Sequence, residues 1–327
     1  MFAKYNSDDP RIGACRPMSD APRLRAAPRW IERLVHPVLL LGAGWVWWAM
    51  DRRADAVLVA LVLAFALLTL LEHFTPAMPD WRLRPGQRLQ LVGLYLLSFF
   101  LFPALTSIHE ALLLTPLATT REALGLGSPS ALPLLAQVLL LFFASDFLYY
   151  WIHRAIHRWG WLWKASGHGF HHAFQNVHAL NVGTNHPFEI VLLTLPMVLV
   201  ATVFGAGAEA VGGATVLIVV NTAAAHANVR MEMPGLNWIV TSANQHRRHH
   251  SSHFETSNTN FACNAILWDR LFGTYSRGEV TQTGIGPGEP TLLQKFMLPF
   301  REPDFADTAA SRARLARANH SNGSSAT

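Results

Sequence analysis

Long apolar stretches alternate with shorter polar stretches along most of this chain. Residues 89–108 and 190–208 contain no Asp, Glu, Lys or Arg, and each approaches the ~20 apolar residues that a membrane-crossing helix needs. Trp and Tyr flank several stretches, as they do at the interfaces of membrane proteins. The pattern predicts about four to six membrane helices. The candidate stretches are 37–50, 54–73, 89–113, 131–152, 188–205 and 209–226.

Composition favours the same class. Hydrophobic residues make up 51% of the 327 residues and charged residues only 14%, whereas soluble domains carry about 25% charged residues. So few charges cannot cover a soluble globule, and so much apolar surface excludes a disordered chain. Buried helices in a soluble core are the alternative, but soluble domains rarely hold several such runs. We therefore expect an all-α integral membrane helical bundle with a histidine-rich helical cap.

The polar segments divide the chain into five predicted regions. The N-terminal region is basic and lacks the apolar run of a cleavable signal peptide, so we expect a flexible arm there. The regions are the arm in 1–35, N-terminal transmembrane helices in 36–130, a histidine-rich catalytic domain in 131–275, an interfacial segment in 276–307 and a disordered tail in 308–327.

The distribution of arginines predicts the orientation. The loop 74–88 carries three arginines, whereas 114–130 carries only Arg121. Because basic loops remain in the cytoplasm, the arm, the loop 74–88 and all dense histidine segments are expected on the cytoplasmic side. The net charge of +5 then indicates a membrane surface rather than nucleic acid, since the arginines flank apolar runs and form no patch with interleaved aromatics.

Twelve of the sixteen histidines lie between residues 153 and 253, and eight of them form three motifs. His153 and His157 form HxxxH, a spacing that places both imidazoles on one face of a helix. Two HxxHH motifs follow, and we expect the three imidazoles of each to share one stripe. The residues of these two motifs are His168, His171 and His172, and His246, His249 and His250.

Eight imidazoles exceed what one ion uses, since a zinc site takes three or four protein ligands. Two metal ions that share the motifs, with His226 as a ninth ligand, are the simplest interpretation. Imidazole suits iron, zinc, copper and nickel, so the ligand type leaves the metal open. The two cysteines exclude a disulfide framework and a cysteine-rich zinc site.

Four polar residues are candidates for supporting roles around this site. Asp146 shares a helical face with His153 and either orients a ligand imidazole or is a charge at a helix end. Glu189 could orient a ligand in the same way, and Asn228 could hydrogen-bond near the site. His186 lies between the motifs.

The motifs together resemble the sterol desaturase/fatty acid hydroxylase superfamily of integral-membrane di-iron oxygenases. Three further stretches are similar to that superfamily: the run Asp146 to Arg154, the HPxE element His186 to Glu189, and the N-x-N…WDRLFGT ending from Asn258 to Thr274. The resemblance covers about residues 135–275. Family members often carry an arginine two residues before the HPxE histidine, where this chain has Thr184, so His186 could be a ligand, a neighbour of the ligands or an anion contact.

The resemblance implies two irons bound by the histidine motifs, O₂ as oxidant, and hydroxylation or desaturation of a lipid C–H bond. A fatty acyl chain, a sterol or an aminolipid such as ornithine lipid would be the substrate. Electrons would come from a separate donor such as a reductase, ferredoxin or cytochrome, since the chain shows no flavin, NAD or Fe–S motif. A bacterial inner membrane is the expected location. A zinc-dependent membrane hydrolase and a non-catalytic metal-binding membrane protein are the alternatives.

Overall fold

The computed structural model describes residues 25, 27–286 and 288–303. Most of the predicted arm, the end of the predicted interfacial segment and the predicted tail lie outside the described residues. The arm was predicted to extend to residue 35, but the first helix already begins at Arg29. The charged residues of the first turns, such as Glu32, are therefore part of the helix. Pro28 directly precedes the helix, and proline is compatible with a helix start.

Six long helices within the described residues form a bundle. They are α1 (Arg29–Ala49), α2 (Ala54–Phe74), α3 (Pro85–His109), α5 (Leu134–Arg158), α8 (Pro187–Phe204) and α9 (Ala208–His226). Among the described residues, five helical runs are long and apolar enough to cross a membrane, namely α2, α3 with its continuation, α5, α8 and α9. This confirms the prediction of about four to six membrane helices.

The loop predicted at 114–130 is wrong in its first half. The chain continues from α3 through a π-helical turn at Glu110–Leu114 into α4 (Thr115–Ala123). Polar residues alone do not end a helix, and the threonine hydroxyls here bond back to carbonyls of the preceding turn, as Thr119 does to Thr115. The helix ends only before Gly125, whose φ of 64° glycine adopts without strain.

The helices alternate in direction. Near the start of α1, His36 bonds to Asn221 at the end of α9, whereas Trp47 near the end of α1 lies against Gly213 near the start of α9. A methyl group at Gly213 would lie 2.8 Å from the Trp47 ring, so only a small residue permits this close approach. This alternation brings the histidine-bearing ends of α5 and α9 to the same end of the bundle, as the predicted topology requires.

Short helices and turns form a cap over that end. They are α6 (Gly160–Ser166), α7 (Gly169–His172), α10 (Ala243–His249), α11 (Phe254–Ser257), α12 (Leu267–Leu271) and α13 (Leu292–Phe296). The described part of the chain contains no strand, only an isolated bridge between Ser251 and Thr283. The all-α bundle with a histidine-rich helical cap is confirmed. In the predicted interfacial segment, Leu293 and Phe300 are exposed while Lys295 is buried.

Candidate metal centre

Nine buried imidazoles converge in two groups between the bundle and the cap. Within each group, one nitrogen of every ring lies within 4.8 Å of the others. The five-histidine group contains His153, His157, His168, His172 and His249, and the four-histidine group contains His171, His226, His246 and His250. All nine residues singled out in the sequence as candidate ligands are brought together.

The HxxHH motifs do not each serve one group, as the single-stripe expectation implied. In both motifs the first and last histidines share a group, and the middle one enters the other group: His171 joins the four-histidine group and His249 the five-histidine group. The reason is the helical angle. Residues i and i+4 differ by about 40° around the axis, whereas i+3 lies about 100° from i+4. Each motif therefore contributes to both groups.

Hydrogen bonds fix which nitrogen of several rings is free. The Nδ1 of His153 donates to the Phe261 carbonyl at 2.6 Å, and the Nδ1 of His249 donates to the Thr259 carbonyl at 2.9 Å. A carbonyl oxygen only accepts, so Nδ1 carries the proton and the Nε2 of each neutral ring presents a lone pair.

The four-histidine group repeats this pattern. The Nδ1 of His171 donates to the Thr184 carbonyl at 3.2 Å, and the Nδ1 of His226 donates to the Thr222 carbonyl at 2.7 Å. Both groups therefore contain rings whose Nε2 lone pairs face the interior of the group.

These lone pairs face one another. The Nε2 atoms of His153 and His249 are 3.1 Å apart, and those of His171 and His226 are also 3.1 Å apart. Two lone pairs cannot form a hydrogen bond, so these contacts need a cation between them. Ligands at about 2.1 Å from a metal and 90° apart have nitrogens about 3.0 Å apart. The donor set and its spacing therefore fit a metal ion in each group.

Burial keeps the cap histidines in the neutral, metal-binding form. Desolvation, and next the neighbouring His226, lower the pKa of His171 to about 3. The pKa values of His168, His172, His246, His249 and His250 also lie well below 6.5, because burial and then the adjacent imidazoles disfavour a further positive charge. Unpartnered nitrogens, such as the Nε2 of His172, add further free lone pairs.

Glu189 lies where a ligand-orienting carboxylate would act. Its Oε1 is 2.5 Å from the Nδ1 of His168, and both side chains are buried. The other oxygen, Oε2, has no hydrogen-bond partner. A carboxylate in this position holds the proton on Nδ1 and directs Nε2 into the five-histidine group.

Asp146 does not contact an imidazole, contrary to the expectation that it orients one directly. Its buried carboxylate accepts from the backbone N–H groups of Asn264 (2.9 Å) and Ala265 (2.8 Å) and from the Asn264 amide. It is also not a helix-end charge in water, since it is 2% exposed. The helical face was correct, but a loop from the cap covers that face and uses the carboxylate.

Asn228 and His186 lie outside both groups. The Asn228 side chain pairs with the backbone of Met78 at 2.8 and 2.9 Å, which ties the end of α9 to the turn after α2. His186 caps α8 by accepting from the Phe188 N–H, and its ring lies close to the backbone of Gly167.

Several neighbours of the site were not predicted from the sequence. The carbonyls of Thr184, Thr222, Thr259 and Phe261 have no sequence signal, because every residue carries a carbonyl. The ring of Trp163 lies 5.0 to 5.3 Å from the rings of three candidate ligands, and its position in the run before the HxxHH motif was its only signal.

The comparisons with known proteins agree with this geometry. The fatty acid hydroxylase family model matches residues 138–274, the region that contains all nine histidines. An ornithine lipid hydroxylase of Rhizobium tropici is 28% identical over 246 residues, which is 72% of this chain and 72% of that protein. Residues 138–274 therefore carry the similarity to the fatty acid hydroxylase family.

Two further relatives match a shorter region. A very-long-chain aldehyde decarbonylase of Oryza sativa is 31% identical over 46% of this chain and 58% of its own length. Methylsterol monooxygenase 2-2 of Arabidopsis thaliana is 29% identical over 47% of this chain and 59% of its own length. No solved structure matches the chain. The homologues indicate a family of membrane lipid hydroxylases and monooxygenases.

Proposed function

We propose that this protein is an O₂-dependent di-iron hydroxylase of a membrane lipid. The observation that carries the proposal is the pair of all-imidazole groups, buried at one end of an apolar helical bundle. The groups adjoin each other, since the ring centroids of His172 and His250 are 4.5 Å apart. Two neighbouring sites suit two ions that act together, whereas a mononuclear zinc hydrolase needs one ion.

Iron, when bound, would supply the activation of O₂ that attack on an unactivated C–H bond requires. Backbone carbonyls and Glu189 fix the Nδ1 proton of five of the nine imidazoles and direct the Nε2 lone pairs of these five rings inward. The site is all-imidazole and buried, so bulk water is kept from the reacting atoms. Electrons would come from a separate donor protein at the cap.

The lipid would approach from within the bilayer. An apolar groove of about 330 Å³ lies between α5 and α8, and Phe147, Leu148 and Val200 contribute to its walls. Both helices continue from this groove to the cap, where the last turn of α5 carries His157 and α8 begins after its N-cap residue His186. A hydrocarbon tail in the groove would leave the polar end of the lipid near the cap.

An aminolipid of the ornithine type is the first substrate to test, because the ornithine lipid hydroxylase matches 72% of this chain, whereas the aldehyde decarbonylase and the methylsterol monooxygenase match 46% and 47%. The arginine-rich loops at the histidine end support a cytoplasmic site, and a bacterial inner membrane is the location that we propose.

The first experiment is metal analysis of the detergent-purified protein. We expect about two irons per chain in the unmodified protein. His249→Ala and His171→Ala each remove one ligand from a different group and should lower the iron content. His253→Ala is the matched control, since His253 is exposed and lies three residues after the last motif. One zinc per chain, or no specific metal, would overturn the proposal.

The second experiment identifies the product. Cells that express the protein are grown under ¹⁸O₂, and their lipids are compared with those of the His171→Ala variant by mass spectrometry. We expect a lipid that gains one oxygen atom from ¹⁸O₂ only with the active protein. An oxygen that comes from water, or an unchanged lipid profile with a di-iron protein and a working donor, would contradict the oxygenase assignment.

A further inference from the structure

We propose that residues 259–265, held by Asp269 and Asp146, form a positioning element for the five-histidine group alone. This inference rests on the proposed function, because it assigns a structural support to one of the two metal ions. It predicts that weakening the element removes one ion and leaves the other in place.

The element contacts the ligands through two carbonyls. The Thr259 carbonyl accepts from His249, and the Phe261 carbonyl accepts from His153. Both histidines belong to the five-histidine group. In the four-histidine group, by contrast, His171 and His226 donate to carbonyls of other segments, at residues 184 and 222. The carbonyls that orient these ligands therefore come from different segments in the two groups, and the element reaches Thr222 through the Asn264 side chain, which accepts from the Thr222 hydroxyl at 3.1 Å.

Two buried carboxylates fix the backbone between these carbonyls and α5. The two oxygens of Asp269 accept from the N–H groups of Phe261 and Ala262, each at 2.8 Å. The two oxygens of Asp146 accept from the N–H groups of Asn264 and Ala265. Asp269 is fully buried and Asp146 nearly so. Four N–H donors within five residues of one short segment are thus bound by carboxylates.

A directed chain of hydrogen bonds secures Asp269. Arg154 donates to the Tyr150 hydroxyl at 3.0 Å, and the oxygens of Tyr150 and Thr274 are 2.9 Å apart. Thr274 donates to Asp269 at 2.6 Å. Arginine can only donate and a carboxylate can only accept. Each hydroxyl between them therefore donates its hydrogen bond in the direction of Asp269. This chain links α5, which carries two ligands, to the loop that orients one of them.

Asn260 fixes the same segment from the other side. It adopts a φ of 55°, a conformation in which asparagine is enriched, and its side chain donates to the carbonyls of Gln245 and Ser276. The Asn260 oxygen also accepts from the Ser276 N–H. The N-x-N…WDRLFGT ending thereby acquires a physical role. Its Asn260, Asp269 and Thr274 fix the backbone whose carbonyls accept hydrogen bonds from the candidate ligands.

Groups that orient a metal-binding histidine typically change metal affinity 10- to 100-fold when they are mutated. Asp269→Asn places an amide N–H against a backbone N–H, and we expect iron content to fall from about two to about one per chain. Thr274→Val removes the hydroxyl that fixes Asp269 and is a milder test. It should weaken one of two binding steps about 10-fold or more in a chelator competition, while Thr274→Ser should restore the affinity of the unmodified protein.

The measurements are metal content, stepwise affinity and the magnetic resonance spectrum of the bound iron, which separates a coupled pair from a single ion. Loss of one ion, with spectra of a single iron, would support the positioning role. Retention of two ions of unchanged affinity in Thr274→Val, or equal weakening of both steps, would overturn it. If the unmodified protein does not bind two irons, the proposed function fails first, which distinguishes the two failures.

Discussion

Replacement of Glu189 by glutamine tests how the carboxylate contributes to metal binding. Glu189 Oε1 accepts from the Nδ1 of His168 at 2.5 Å, and both side chains are buried. Glutamine keeps an oxygen that can accept this hydrogen bond but removes the charge. The variant therefore isolates the electrostatic contribution of the carboxylate from the geometry of the hydrogen bond.

The magnitude follows from the two kinds of hydrogen bond. A hydrogen bond to a charged group contributes about 1.5–3 kcal/mol, and a neutral one about 0.5–1.5 kcal/mol. The difference of about 1–1.5 kcal/mol corresponds to an affinity about five- to twelvefold weaker for the ion in the five-histidine group. The new amide N–H groups replace Oε2, which has no partner, and so they lower the free energy of unfolding with and without metal. That penalty should appear in thermal stability rather than in metal affinity.

The assay is chelator competition for iron in the purified protein, together with thermal unfolding of the metal-free form. Glu209→Gln is the matched control, because Glu209 is half exposed and pairs with Arg52 near the start of α9, far from the site. An iron affinity of Glu189→Gln equal to that of Glu209→Gln would show that the carboxylate does not act on the metal through His168.

Three further predictions concern stability. Gly167→Ala should lower the melting temperature, because Gly167 has a φ of 72° and an added methyl would lie 2.6 Å from the His186 ring, whereas Gly207→Ala, with open space around it, should not. His36→Leu should cost about 2–3 kcal/mol of unfolding free energy in denaturant titrations, because the buried Asn221 amide oxygen, 2.7 Å from the Nε2 of His36, loses this hydrogen bond. The iron content of the folded protein should stay unchanged, since His36 lies outside both groups. The metal-free protein should lose stability as the pH falls below 6.5, by up to about 1.4 kcal/mol per histidine and pH unit. The reason is that the buried cap histidines have lower pKa values in the folded protein than in the unfolded chain, so protons bind preferentially to the unfolded state. A melting temperature that is constant from pH 8 to 5 would contradict this last expectation.

Much of the candidate site could be predicted because histidine spacing is a local property. His153 and His157 share a group because they are one helical turn apart, and that relation holds wherever the helix packs. The same is true of the apolar runs, whose length and composition suffice to indicate membrane helices. Glu189 next to His168 was foreseen as a supporting carboxylate, although the sequence did not say which histidine it would orient.

The sequence did not predict the hydrogen-bond partners of a side chain when they come from a distant segment of the chain. Asp146 lies on the helical face of His153, as periodicity predicted, yet it binds the backbone of residues 264 and 265, which come 118 and 119 positions later. The loop predicted at 114–130 failed for a related reason, since the helix there persists through contacts with α8 and hydroxyl bonds to its own backbone.

The sequence by itself determined the helical class, the number of long apolar segments and the nine histidines, because each follows from local composition or from spacing along a helix. Only the tertiary structure decided that the nine rings divide five to four, that His171 and His249 each leave the group of their own motif, and that backbone carbonyls direct their lone pairs inward. Those features depend on how α5, α7, α9 and α10 meet at one end of the bundle. A carbonyl has no side-chain identity, so its role becomes visible only when the packed helices show which imidazole it faces.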